Sequence, residues 1–194
     1  MQMRRILASF FIILLAIGII WGVNRLTDRF PKGPRYAQLD ILERQGLPEF
    51  EAVQISGEKF SASDLKYPVV IINFWASWCD PCVAEYPSMV KLVEHFKGKL
   101  GLIAISADQD KKDIETFLKS FGGIKPNIEI LWDSEMKIAS QFGTIQLPES
   151  YIFKRDKKLV RKIVGLEDWY NPDSIEFFAK LVAESENAGE AQAP

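Results

Sequence analysis

Apolar positions along the chain fall into short unbroken runs, separated by stretches with helical spacing. Val69 to Trp75 follows Pro68, is rich in β-branched and aromatic residues, and is interrupted only by Asn73. Such a run predicts a strand buried on both faces and therefore central in a sheet. Leu100–Ser106 and Ile128–Trp132 read as two further strands, and Ser150–Phe153 with Leu159–Val164 as a hairpin around a charged turn. Between these runs the period becomes that of a helix. Val83, Tyr86, Met89, Val90, Val93 and Phe96 mark one face of a helix that follows Cys79 and ends near Gly98. Ile114, Phe117, Leu118 and Phe121 do the same for Lys111–Phe121, Ser134–Phe142 has the form of a short capped helix, and Asp173 opens a last helix running to about Val182. Strands and helices alternate until the closing hairpin, so the expected fold class is α/β, with a mixed central sheet and helices on both faces.

The chain's two ends read differently. Residues 1–5 carry Arg4 and Arg5, and 6–23 is almost continuously apolar, broken only by Ser9 and small glycines. About 17 to 25 apolar residues make a helical span, so this run can cross a bilayer, although it overlaps the length of a secretory signal. The nearest small-x-small cleavage pattern, Ala16-Ile17-Gly18, would cut inside the run, and no cysteine stands at its end to take a lipid. An uncleaved transmembrane signal-anchor is the expected form. Arg25, Arg29, Lys32 and Arg35 outnumber the leading pair, which opposes export on a simple count. A basic pair before an apolar run is itself an export signal, however, and long domains translocate largely regardless of charge. The following domain is therefore expected outside the cytoplasm, in the periplasm or its equivalent, on a bacterial inner membrane.

Residues 24–46, with Pro31, Lys32, Gly33 and Pro34 before a short helix around Tyr36–Arg44, are expected to be a linker. Residues 47–183 would form the folded domain and 184–194, small and acidic, a flexible tail. A chain of 194 residues with 47% hydrophobic content supplies one anchor and one domain of ordinary size. Its net charge of −2 provides no clustered basic surface, so nucleic acid is not expected among its partners.

The chemistry is concentrated in Phe74-Trp75-Ala76-Ser77-Trp78-Cys79-Asp80-Pro81-Cys82, where the central strand hands over to a helix. Two cysteines three positions apart cannot tie distant parts of a fold together, so their purpose is chemical. A thiol at a helix N-terminus faces unpaired backbone N–H groups and the positive end of the helix dipole, which favour the thiolate. Cys79 is then the nucleophile. Cys82, one turn in, is the resolving thiol that attacks the mixed disulfide. A zinc site would need four ligands, and beyond these sulfurs the chain has only His95, read as structural or surface. Covalent haem attachment would need a histidine directly after Cys82, where Val83 stands. No cofactor is expected.

The chain resembles the thioredoxin superfamily, specifically the membrane-anchored TlpA/ResA-like thiol:disulfide oxidoreductases that include cytochrome c maturation thioredoxins. The resemblance covers roughly Phe50 to Leu181. It is carried by Ile72 to Cys82, Glu85-Tyr86-Pro87, Ile103-Ala104-Ile105-Ser106 and Leu147-Pro148-Glu149-Ser150-Tyr151-Ile152-Phe153. It implies a thioredoxin-like fold in which Lys111 to Trp132 is the helix-and-strand insertion of this group. It further implies that Pro148 is a cis-proline facing the cysteine pair, with the Leu147 backbone beside Cys79 for an extended substrate segment, and that Trp78 contacts substrate. Glu85, three residues after Cys82 and on the same helix face, would exchange protons with it. Thioredoxins proper use a buried aspartate on the preceding strand, where this chain has Asn73, which cannot titrate. Two departures are visible: Lys157 and Tyr67 stand where glycine is common, and both imply altered turn geometry.

Asp80 places a negative charge beside the Cys79 thiolate with no cation between the cysteines, which favours a reductant over an oxidant. The resemblance implies a membrane electron donor of the DsbD or CcdA kind, and disulfide-bearing exported proteins as substrates, with the C-x-x-C-H segment of apocytochrome c leading. A disulfide oxidase or isomerase of the same fold is the alternative, and a copper-delivery or chaperone module is another. A thiol peroxidase would need threonine about three residues before its reactive cysteine, where Ala76 stands.

Overall fold

The computed structural model describes residues 16–19 and 34–190. The expected span over 6–23 lies outside the described residues except for a helical turn at 16–19, and among the described residues no helix is long and apolar enough to cross a membrane.

The elements are α1 (Pro34–Gln45), β1 (Glu51–Val53), β2 (Lys59–Ser61), β3 (Val69–Trp75), α2 (Asp80–His95), β4 (Leu100–Ser106), α3 (Lys111–Ser120), β5 (Ile128–Trp132), α4 (Lys137–Phe142), β6 (Glu149–Lys154), β7 (Leu159–Val164) and α5 (Pro172–Glu190). Five strands form one mixed sheet in the order β5-β4-β3-β6-β7. β3, β4 and β5 run parallel, while β6 and β7 are antiparallel to their neighbours. Strand β3 is buried at every position, because its two sides carry two separate cores. Val69, Ile71 and Trp75 pack with α2, α3 and α5, whereas Val70, Ile72 and Phe74 pack with α1, α4 and Phe60 of β2. The insertion expected from Lys111 to Trp132 is α3 followed by β5.

Several elements differ from the reading of the sequence. The small β1–β2 ribbon was not anticipated; it closes the β5 edge through Ile55 N donating to Ile130 O (2.9 Å) and a bridge between Gln54 and Leu131. Within the stretch expected to be a linker, Leu42 of α1 is buried in the second core. Helix α5 runs through the expected tail boundary to Glu190, with Ser185 buried. Helix α4 starts three residues later than Ser134, because Met136 is left-handed (φ 53°) and the cap comes from Asp133. The Asp133 carboxylate accepts from the backbone N–H groups of Lys137, Ile138 and Ala139 at 2.8 to 3.0 Å.

The two departures from glycine have different outcomes. Lys157 itself takes the left-handed conformation (φ 63°), so the hairpin turn keeps the glycine-type geometry rather than altering it. The Lys157 carbonyl accepts from Leu47 N at 2.8 Å, which leaves no room for a side chain at Gly46. Tyr67 lays its ring over Gly101 of β4, where a Cβ would meet the ring at 2.2 Å.

Gly101→Ala is expected to destabilise the fold by about 2 kcal/mol through overpacking. In a Tyr67→Gly background the same change should be nearly free, so a urea double-mutant cycle would show strong coupling. Additive effects would mean that the ring is not what excludes a side chain there.

Candidate active site

The C-terminal end of β3 delivers the chain into Ala76-Ser77-Trp78 and then into α2, whose N-cap is Cys79. Pro81 sits in the first turn, where its missing N–H is no loss. Cys79 and Cys82 are joined as a disulfide with Cα atoms 5.2 Å apart, and Cys79 Sγ accepts from the backbone N–H of Cys82 at 3.4 Å. Cys79 is 6% exposed and Cys82 2%.

The approach loop is held by a residue that reading the sequence missed. Asp108 is fully buried just beyond β4, and its carboxylate accepts from Ser77 N (3.0 Å), Ser77 Oγ (2.7 Å) and Ser106 Oγ (2.7 Å). Its backbone carbonyl accepts from Trp132 Nε1 at 2.7 Å. Three neighbouring segments are thereby locked at the carboxyl ends of the parallel strands, where α/β sheets place their sites. The polar break Ser106-Ala107-Asp108 directly after a buried strand was the available signal.

Trp78 is 66% exposed and shares one open cleft with Cys79, Asp80, Pro81, Met136, Ile145 and Leu147. The Leu147–Pro148 peptide is cis, and Pro148 O accepts from Gly165 N at 2.9 Å. Leu147 and Cys79 thus line the same cleft, which Pro148 does not. Behind them Glu149 is fully buried and paired with Lys162 at 2.9 Å, and its other oxygen lies 3.1 Å from Tyr151 Oη. Tyr151 Oη is also 2.9 Å from the Phe142 carbonyl, which ties the segment before Leu147 to β6.

Glu85 is not on a solvated helix face; it is 2% exposed. Asn73 Nδ2 donates to its Oε1 at 3.1 Å, and Glu167 N and Trp169 Nε1 both donate to its Oε2 at 3.2 Å. Burial pushes its pKa up to about 7, against the pull of these three donors. Asn73, an interruption in an otherwise apolar strand, therefore serves Glu85 directly. His95 lies at the far end of α2 against Tyr170 and Phe96, away from the cysteines at the opposite helix terminus.

Glu85 carries a pH dependence of stability with a definite sign. Its folded pKa lies above the unfolded value of 4.5, so the folded protein retains a proton that the unfolded chain has lost. The contribution is present below about pH 4.5 and is lost as pH rises through about 7. Urea midpoints of the disulfide form should fall over that interval, and Glu85→Gln should flatten the slope; an unchanged slope would place the titration elsewhere.

Residues 44–162 match the AhpC/TSA family. Among curated relatives, the thiol-disulfide oxidoreductase ResA of Bacillus thuringiensis subsp. konkukian is 30% identical over 85% of this chain and 91% of its own. ResA of Bacillus subtilis strain 168 is 27% identical over 77% of this chain and 80% of its own. A thiol:disulfide interchange protein of the thioredoxin family from Chlorobium tepidum superposes with a TM-score of 0.57 at 24% identity, covering 72% of this chain and 94% of that one. The chain belongs to the thioredoxin-like AhpC/TSA family and is a thiol-disulfide oxidoreductase of the ResA type.

Proposed function

We propose that this oxidoreductase works outside the cytoplasm, anchored by residues 6–23, as a reductant of disulfides in exported proteins. The observation that carries the reading is Glu85, a carboxyl one helical turn from Cys82 that is buried among three N–H donors and whose pKa burial pushes up to about 7. A resolving thiol needs a base that can take its proton at the working pH, and such a group operates best when its pKa is close to that pH.

The Cys79 thiolate attacks one sulfur of the substrate disulfide, forming a mixed disulfide and releasing the other substrate sulfur as a thiolate. Cys82 gives its proton to Glu85 and attacks Cys79 Sγ. The second substrate thiolate leaves, one substrate sulfur takes the proton held by Glu85 and the other takes one from water, and the Cys79–Cys82 disulfide remains. Two electrons have passed to the substrate. A membrane dithiol donor of the DsbD or CcdA kind then returns them. Trp78 and Leu147 flank the sulfur that is attacked, so an extended segment can lie along the Leu147 backbone with an apolar side chain against Trp78. The C-x-x-C-H segment of an apocytochrome c fits this description and is the leading substrate.

Asp80 adjoins Cys79, and among the described residues no Lys, Arg or His lines the cleft at Cys79. With nothing cationic to hold the thiolate, the couple is expected to be reducing.

The reduction potential of the full-length chain, equilibrated against redox buffers, should fall near about −270 mV; a value near about −120 mV would make the protein a disulfide-forming enzyme. Cys82→Ser should accumulate the mixed disulfide with a reducible substrate. Glu85→Gln should slow release from that intermediate on the order of 100-fold at pH 7. Tight Cu(I) retention without turnover would instead favour a copper-delivery module.

A further inference from the structure

We propose that Trp169 is a positioning residue for the thiol chemistry: its indole N–H, with the backbone N–H of Glu167, sets the proton affinity of Glu85 from the loop between β7 and α5. The inference rests on the reading of Glu85 as the proton partner of Cys82.

Trp169 is 1% exposed and is attached to α2 twice. Its indole Nε1 donates to Glu85 Oε2 at 3.2 Å, and its backbone N donates to Ser88 Oγ at 3.1 Å. Ser88 Oγ in turn donates to the Glu85 carbonyl at 2.7 Å. The loop is pinned at both ends. Gly165, in the left-handed region (φ 89°), donates to Pro148 O at 2.9 Å. At the other end Asn171 Nδ2 donates to the Asp168 carbonyl at 2.6 Å, and Asn171 Oδ1 accepts from Ser174 N at 2.9 Å. The indole is therefore held against the carboxylate by the surrounding backbone.

An indole N–H donates and never accepts, so its hydrogen bond favours the ionised carboxylate over the acid. Oε2 already takes two donors, from Glu167 N and Trp169 Nε1. Oε1 takes one from Asn73, whose amide also donates to Ser150 Oγ at 2.9 Å and has no hydrogen left to give. An incoming proton is thus directed to Oε1. The groups facing Glu85 are neutral Asn73 on β3, Ser150 on β6 behind it, Ser88 on its own helix, and from the α5 loop Trp169 and Glu167, whose carboxylate opposes ionisation; Cys82 lies one turn before it on the helix. The loop exerts two opposed influences: the N–H donors of Trp169 and Glu167 lower the proton affinity, and the Glu167 side chain raises it.

The test is a carboxyl 13C titration of Glu85 in the disulfide form of the full-length chain, where no thiol titrates; Glu85→Gln identifies the signal. Trp169→Phe should move the midpoint up by about one pH unit, a tenfold weaker acid, and Glu167→Gln should move it down. Replacing Trp169 by benzothienylalanine, which keeps the shape and lacks the N–H, should reproduce the upward shift if Trp169→Phe fails to fold. A second readout is the pH profile of Cys82 alkylation in reduced Cys79→Ser protein, which should move with the Glu85 midpoint. An unmoved midpoint in both Trp169 variants overturns the proposal. A midpoint that moves while the alkylation profile stays fixed upholds the hold of Trp169 on the carboxylate and removes Glu85 as the partner of Cys82.

Discussion

Glu85 is a carboxylate removed from water inside the apolar core that joins α2 to the sheet, and much of the surrounding polar structure answers to it. Burying such a group without partners would cost several kcal/mol or force it to stay protonated. Donors from β3 and from the loop before α5 converge on its two oxygens, and Ser88 fastens the same loop to the same helix turn. The balance between desolvation and these donors leaves the carboxyl near pH 7 instead of at either extreme. A group so balanced suits the proton exchange with Cys82 proposed for it, since neither taking nor returning a proton then requires a large expenditure of free energy.

The two halves of the sheet contribute different parts of the site. The parallel half ends in the Asp108 cluster, which fixes the loop carrying Trp78 and Cys79 to the ends of β4 and β5. The antiparallel half brings Leu147 to the other side of the cleft and braces it from behind through Glu149, Lys162 and Tyr151. Strand β3 is the shared boundary, pairing Asn73 with Ala104 on one side and with Ser150 on the other. The rigid centre thus places the disulfide between two independently anchored walls, with Trp78 and Ile145 strongly exposed in the cleft beside Cys79.

The chain's own departures from glycine show how the fold accommodates change. Tyr67 occupies space over Gly101 that a side chain on β4 would otherwise fill, and Lys157 accepts left-handed strain in a turn suited to glycine. Both lie away from the cysteine cleft, so they alter local packing without entering the chemistry.

The amino-acid sequence by itself determined the central strands, whose observed limits at Val69–Trp75, Leu100–Ser106 and Ile128–Trp132 coincide with the apolar runs. It also determined the cysteine pair at a strand-to-helix junction and the placement of Glu85 one turn beyond. These features are local: burial on both faces leaves an unbroken run, and helical spacing puts Cys82 and Glu85 on one side. Tertiary structure alone decided that Glu85 is buried, since its donors on the α5 loop lie 82 and 84 positions away in the chain. The same holds for the clamp of Asp108 on Ser77, for Lys162 beside Glu149, and for Leu42 entering the core from a segment that reads as a tether. Periodicity records which face of an element is apolar; which distant polar group will meet a buried one is settled only when the sheet assembles and each buried donor and acceptor must find a partner.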